Sequence, residues 1–357
     1  MTTTVAPPSS GLSNGGRHRP IQDRVRAVPI LAKGILIAIA VLALGIALPS
    51  LIAVPKAISI ATDGALLAIY AVSIGFLAFR LNLISLGHTA FYGGAAYVAT
   101  IASAQWGWSL QLSFFAAILS GTLLSVLFGA LVVRSPGMTF LMLTLAIGQL
   151  MYLLSVQNWA RPVTGAYDGI ALTYNGDSSF FGVPQGKLIS SGDFWPLAWS
   201  GLVFVCLVLW CAGRSRLGVV LEAIRENEER ARFSGFNTYL PRLLAFTLTG
   251  FCASIGGALL AMHSQFVSPD IFSFLTAGDG AIAAIVGGFS VLVGPVIGAA
   301  LYIWAQYEFS GSGGNLQLYT GAMLVFVLIF MRGGVVGALQ RGWVLARAAI
   351  SRSGGKK

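Results

Sequence analysis

Nine runs of apolar residues, separated by shorter polar stretches, organise this chain: 29–54, 58–79, 84–104, 110–133, 138–156, 194–213, 243–264, 281–309 and 315–332. A helix that crosses the hydrocarbon core of a bilayer needs about 20 such residues. The pattern predicts an all-α fold, a polytopic membrane helical bundle with about 8–10 transmembrane segments. Two polar stretches between the runs stand out. Residues 157–193 hold Asp168, Asp177 and Asp193 against Arg161 and Lys187. Residues 214–242 hold Arg214, Arg216, Arg225, Arg230, Arg232 and Arg242 among four glutamates.

Those charges orient the chain. Basic residues stay on the cytoplasmic side of a membrane protein. The N-terminal tail (Arg17, Arg24, Arg26, Lys33), the 214–242 loop and the C-terminal Arg332, Arg341, Arg347, Arg352, Lys356 and Lys357 therefore belong inside. Counting spans from an inside N-terminus places 157–193 outside and 214–242 inside. The count then fails by one, because single spans at 281–309 and 315–332 would leave the basic C-terminus outside. As one helix, 281–309 would be about 43 Å long, against a core of about 30 Å. It also contains Gly287-Gly288 and Gly294-Pro295, a natural break. The expectation is a broken or re-entrant helix whose two halves enter and leave on the same side. A long kinked helix is the alternative.

Composition agrees. The 357 residues are 56% hydrophobic and 10% charged, where soluble domains carry about 25% charged residues. The net charge of +10 would suggest nucleic acid in a soluble protein. Here the basic residues gather in the tails and one loop, so membrane orientation explains them and no nucleic-acid partner is expected. Cys206, Cys211 and Cys252 lie inside apolar runs and read as small buried hydrophobes. No cleavable signal peptide is evident. Residues 1–28, rich in Ser, Pro, Gly and Arg, are expected to be a disordered cytoplasmic N-terminal tail, 29–333 the membrane domain, and 334–357 a basic cytoplasmic tail.

The 214–242 loop is the most informative stretch. No helix breaker stands between Val219 and Ser234, and Gly235 suits a helix stop. Val220, Ile224 and Ala231 share a helical face, with Val219 and Ala223 beside them; Glu222 and Glu226 lie on another side with Arg225 and Arg230 interspersed. This predicts one short amphipathic helix tethered between two spans. Such a helix docks into a cleft on a cytoplasmic partner, its apolar face giving affinity and its charges register. Lying on lipid headgroups is the alternative, and the four glutamates disfavour an anionic surface.

Inside the membrane, Ser85-Leu-Gly-His88-Thr-Ala-Phe-Tyr92-Gly93-Gly94 joins a histidine to small residues that allow close helix approach. An ionisable group there either serves transport or fixes a turn by bonding neighbouring backbone. Asp63 and Glu308 are the residues that a cation-coupled secondary transporter would use; paired or hydrated positions near span ends are the other reading. No energy source is visible. Gly182-Val-Pro-Gln-Gly186-Lys187-Leu188 fails as a phosphate loop, because its glycines are one position too close and Leu follows Lys where Ser or Thr is needed. No metal-ligand cluster and no nucleophile–base pair emerge, so neither catalytic residues nor a metal are expected and the chain does not read as an enzyme.

Six blocks in order give the chain a family resemblance over roughly residues 60–333. They are Ser85–Phe91, Arg134–Gln149, Thr164–Ile170, Glu222–Glu228, Phe266–Asp270 and Gly287-Gly288…Gly294-Pro295…Gly298-Ala299. The chain resembles the permease subunits of branched-chain amino acid ABC importers, the larger M-type in particular; relatives include urea and amide importer permeases. The resemblance implies a bacterial plasma-membrane importer with both termini cytoplasmic. Its partners would be a second permease subunit in a heterodimer, two cytoplasmic ATPases carrying ATP and Mg, and an external substrate-binding protein. No cofactor would lie on this chain. Glu222, Ala223, Arg225, Glu226, Asn227, Glu228 and Gly235 would form the ATPase-coupling segment. Ser85, His88, Tyr92, Gly287, Gly288, Gly294 and Pro295 are the translocation-path candidates. The sequence departs from the family pattern at Ala166 and Ser290, each standing where the family has glycine, and in the Phe79–Ile84 turn. Those departures bear on the ligand more than on the transport class.

Overall fold

The computed structural model describes residues 20–51, 54–173, 179–289, 291–309, 321, 322, 325 and 334–337. The run at 315–332 and the tail from 338 lie almost wholly outside the described residues, as do residues 1–19. The helices follow the apolar runs: α1 (Pro20–Ile46), α2 (Leu48–Leu51), α3 (Pro55–Leu81), α4 (His88–Ala104), α5 (Leu110–Val132), α6 (Gly137–Ser155), α7 (Arg161–Thr164), α8 (Ser191–Arg214), α9 (Arg216–Glu226), α10 (Glu228–Phe233), α11 (Tyr239–Ser264), α12 (Phe274–Gly287) and α13 (Gly294–Phe309). Among the described residues, α3, α5, α6, α8 and α11 are long and apolar enough to cross a membrane. The first helix starts earlier than expected, so residues 20–28 belong to it and not to the tail. Pro20 stands at its first position, where the missing N–H costs nothing, and no Gly follows until Gly34.

Helices α3, α4 and α11 form the buried centre. Fifteen of the 17 residues of α4 are buried, and small side chains make that possible. At Gly257 of α11 the backbone rests directly on the Tyr92 carbonyl of α4, in the space a Cβ would need. Helices α5 and α6 lie outside, where Leu112, Phe115, Leu119, Leu123, Leu127 and Leu131 of α5 are all exposed. A stripe of that extent demands an apolar solvent. Cys252 is buried, Cys206 and Cys211 are half-buried, and all three are free thiols.

One end of the bundle is basic. There Arg80 closes α3 and meets Glu222 of α9 at 3.6 Å. Arg134, in the turn between α5 and α6, lies over the Tyr239 ring at 4.9 Å. At the opposite end β1 (Ile170–Ala171) and a strand at Phe266–Val267 pair antiparallel. His263 is hydrogen-bonded through Nδ1 to the Leu188 carbonyl at 3.0 Å. The 157–193 segment thus packs on the far end of α11.

The run 281–309 is broken, as the glycines predicted, and it is not a kinked helix. Helices α12 and α13 fold back on each other as an antiparallel hairpin whose rungs are Asp279–Tyr302, Ala283–Gly298 and Gly287–Gly294, four residues apart on each side. Each helix is about 21–24 Å long, short of the roughly 30 Å hydrocarbon core. The hairpin starts beside the end of α11. Near its tip, the Pro295 ring packs on Gly75 of α3, six residues before that helix ends at the basic end. Gly334 packs against Gly287 and Gly288 at the tip, so the chain has returned to that level by residue 334.

Candidate coupling and translocation site

The 214–242 segment forms two helices where one was expected. Asn227 is the break. Its backbone is extended, and its side chain accepts the Arg230 N–H at 2.8 Å, capping α10. Asparagine is among the strongest N-caps, and Glu228 and Glu229 in the first turn face the positive end of the helix dipole. The Asn-Glu-Glu spacing carried that signal. At the other end, Gly235 takes a φ of 85° while Phe236 N–H bonds Ala231 O and Gly235 N–H bonds Arg232 O. This is the glycine-terminated helix stop that was anticipated.

The buried face is Leu221, Ile224 and Ala231; Val220 is only half-buried, and Val219 turns outward. The coupling candidates separate into two groups. Glu222 and Arg225 sit on the end of α3, the first against Arg80 and the second over the Phe79 ring at 5.5 Å. Glu228 turns inward: both its carboxylate oxygens accept from Arg242 Nη1, at 2.9 and 3.0 Å. Arg232 and Thr238 donate to the same carboxylate. Arg242, at the base of α11, is only 5% exposed, and its Nη2 donates to the Ser135 carbonyl of the α5–α6 turn at 3.1 Å. Ala223 and Glu226 face outward. So does Phe233, 91% exposed on a polar helix. Sequence reasoning passed over Phe233 and Arg242. The first is visible as an aromatic off the apolar face of α10, whereas nothing in the sequence singles out one inward arginine among six.

The path candidates fall into two clusters. Ser85 and His88 are fully buried. Thr249 on α11 donates its hydroxyl to the Phe246 carbonyl at 2.9 Å, so its oxygen accepts from His88 Nε2 at 3.0 Å. Nδ1 then accepts from Ser85 at 2.9 Å. Phe91 and Phe246 close edge-on around the ring. His88 therefore ties the turn before α4 to α11 through two side-chain hydroxyls, not through neighbouring backbone. Tyr92, one turn along, packs on Tyr70 of α3 with the ring centres 4.8 Å apart and the planes tilted by 37°. Gly287, Gly288, Gly294 and Pro295 form the hairpin tip. None of the seven lines the apolar cleft of about 620 Å³ between α5, α8 and α11.

Asp63 and Glu308 are both paired. Asp63 accepts from Tyr307 at 2.6 Å and faces His263 Nε2 at 3.7 Å. Glu308 pairs with Lys56 at 3.1 Å, both more than half exposed. At the far end, Ala166 holds a φ of 49°, a backbone that favours the glycine of the family pattern.

Residues 56–332 match the family described as branched-chain amino acid transport system / permease component. The chain belongs to this family. It is similar to the high-affinity branched-chain amino acid transport system permease protein LivM of Salmonella typhimurium, at 25% identity over 83% of this chain and 73% of that protein. LivM of Escherichia coli gives 24% identity over 84% and 74%. The autoinducer 2 import system permease protein LsrC of Salmonella paratyphi B is 33% identical over a shorter stretch, 38% of this chain and 41% of that protein. The chain is thus a multi-pass membrane protein and a transport subunit, the permease component of an ABC importer for branched-chain amino acids or a related solute. It works within a transporter complex, and ATP use in such a complex lies on partner ATPase subunits.

Proposed function

We propose that this permease forms the pathway for a branched-chain amino acid in a bacterial plasma membrane, paired with a second permease subunit. Two cytoplasmic ATPases, holding ATP and Mg, dock at the basic end, and an external binding protein delivers the solute to the opposite end, at 157–193. Both termini then lie in the cytoplasm, consistent with the hairpin restoring the span parity and with basic residues staying inside. Residues 20–333 make up the membrane domain in this reading. The ligand assignment draws on the LivM relatives. Urea and amides are the competing solutes.

The observation that carries the coupling role is the geometry of α9 and α10. Ion pairs to α3 and α11 hold this helix pair on the bundle, while Ala223, Glu226 and Phe233 are left facing away from it. An aromatic so exposed, beside Arg230 and Arg232, suits an anchor in a partner's pocket, with the charges setting register. Phe233→Asp combined with Glu226→Lys is expected to reduce co-purification of the ATPases and to lower leucine uptake at least tenfold in whole cells, with the permease still present in the membrane. If uptake instead survived ATP depletion and collapsed with the ion gradient, the chain would act as a cation-coupled secondary transporter. Pairing of Glu308 with Lys56 and of Asp63 with Tyr307 already weakens that second reading.

A further inference from the structure

Asp279 is the lone charged residue of α12. It is half-buried in the second turn of a half-helix, facing α13. Its Oδ1 accepts the Tyr302 hydroxyl at 2.5 Å. Among the described residues no lysine, arginine or histidine forms an ion pair with it, whereas Glu222, Glu228 and Glu308 each have one. A carboxylate within an apolar bundle is costly without a counter-charge.

A second observation lies on the neighbouring helix. Tyr70 of α3 is fully buried, and among the described residues its hydroxyl has no hydrogen-bond partner. Its ring fills the space where a Cβ of Gly280 would stand, and the ring carbon that bears the hydroxyl is among the atoms nearest that point. The orphan hydroxyl therefore sits beside the backbone of the residue that follows Asp279. An unmade bond at a buried hydroxyl is costly, so two deficits, a missing positive charge and a missing hydrogen bond, meet at one place. The Tyr92 ring lies 4.8 Å from that of Tyr70, tilted by 37°, and adds a second electron-rich ring.

We propose that Asp279, Tyr302, Tyr70 and Tyr92 form a subsite between α3 and the α12–α13 hairpin that takes a primary ammonium group. An ammonium offers three donors and no acceptor, which suits the carboxylate oxygen of Asp279 that Tyr302 leaves open and the unpartnered phenol oxygen of Tyr70. A hard divalent cation would need six or more oxygens, and no group of three or more His, Cys, Asp or Glu side chains gathers among the described residues. Half-helices that meet inside a membrane are where transporters place polar solute groups. The proposal rests on the import reading only for the identity of the amine; the ammonium could arrive on the transported amino acid or as a free amine.

Thermal unfolding of the purified full-length chain in detergent tests this without the ATPases. Leucine, methylammonium chloride and 4-methylpentanoate, which is leucine's skeleton without the amine, are each compared with sodium chloride at equal ionic strength. Leucine is expected to raise Tm by about 2–4 °C, and the amine-free acid to leave it unchanged. A rise with methylammonium as well assigns the site to any ammonium group, and a rise with leucine alone assigns it to the solute. Asp279→Asn still accepts from Tyr302 and, free of the buried charge, should be at least as stable as the wild type in sodium chloride. It and Tyr70→Phe should both lose the ligand-induced rise. Equal Tm in all four solutions, or an undiminished rise in Asp279→Asn, would overturn the proposal. An importer that fails the ATP-depletion test yet keeps this ammonium response would sink the import reading and leave the subsite standing.

Discussion

Glu228→Gln is expected to lower uptake at least tenfold while the ATPases still co-purify with the complex. The reason is where the carboxylate points. It does not face a partner; it accepts two hydrogen bonds from Arg242, whose other arm holds the Ser135 carbonyl. One guanidinium thus ties α10, the base of α11 and the α5–α6 turn together. Removing one partner of a buried pair costs about 3–5 kcal/mol. Glu228 is about one-third exposed, so water will repair part of the loss and the lower end of that range applies. A displacement of α9–α10 driven from the cytoplasm would then no longer reach α11 intact. Tm should fall with uptake. Arg242→Lys should give an intermediate loss, because an ammonium is a point charge without the planar fork that spans Glu228 and Ser135. The double swap Glu228→Arg with Arg242→Glu separates this strut from a simple electrostatic tether. A tether would be rescued by reversal. The strut would not, since the new carboxylate at 242 would face the Ser135 carbonyl. Wild-type uptake in Glu228→Gln, or loss of the ATPases from it, would show that Glu228 acts otherwise.

The parts of this architecture that were legible in the sequence are those governed by local chemistry. The run 58–79 became Pro55–Leu81, and 110–133 became Leu110–Val132, because apolar length is what a bilayer selects. The Ser109 cap, accepting the Leu112 N–H, sets the start of α5. The broken helix was legible because Gly287-Gly288 and Gly294-Pro295 interrupt a run already too long for one span; Gly93-Gly94 and Gly256-Gly257, in runs of ordinary length, stay helical. The break at Asn227 was missed for a different reason: an asparagine in a polar run is equally at home inside a solvent-facing helix or capping the next one, and tertiary anchoring of Glu228 decides. The same holds at His88, whose partner Thr249 is 161 residues away. Periodicity cannot place two side chains from separate helices in contact, nor tell an inward arginine from five outward ones.

Gly298→Ala is expected to dismantle the hairpin, whereas Gly278→Ala, on the partner half-helix, is expected to be harmless. A methyl at 298 would overlap the Ala283 carbonyl and crowd Gly287 N and Cα, all of them backbone atoms. Backbone cannot rotate aside as a side chain can, so the two helices must separate. Overpacking of a tight core costs about 1–3 kcal/mol where side chains absorb it; here the whole line of rungs shifts, and the cost should reach the top of that range or exceed it. Lipid offers no hydrophobic drive to hold displaced helices together, so close packing is most of what joins them. At 278 no atom of the described residues lies within 4 Å of an added methyl, and alanine should gain up to about 1 kcal/mol of helix propensity. The same chemical change, one methyl on a glycine of the same hairpin, should therefore lower Tm at 298 and leave it level or raise it at 278. Thermal unfolding of the two purified variants beside wild type reads this directly. Equal Tm for both would mean that α12 and α13 do not meet as closely as the rungs require. Loss at 298 with uptake also gone would tie the hairpin to the path, since its rungs at Asp279–Tyr302 and Gly287–Gly294 depend on the approach that Gly298 permits.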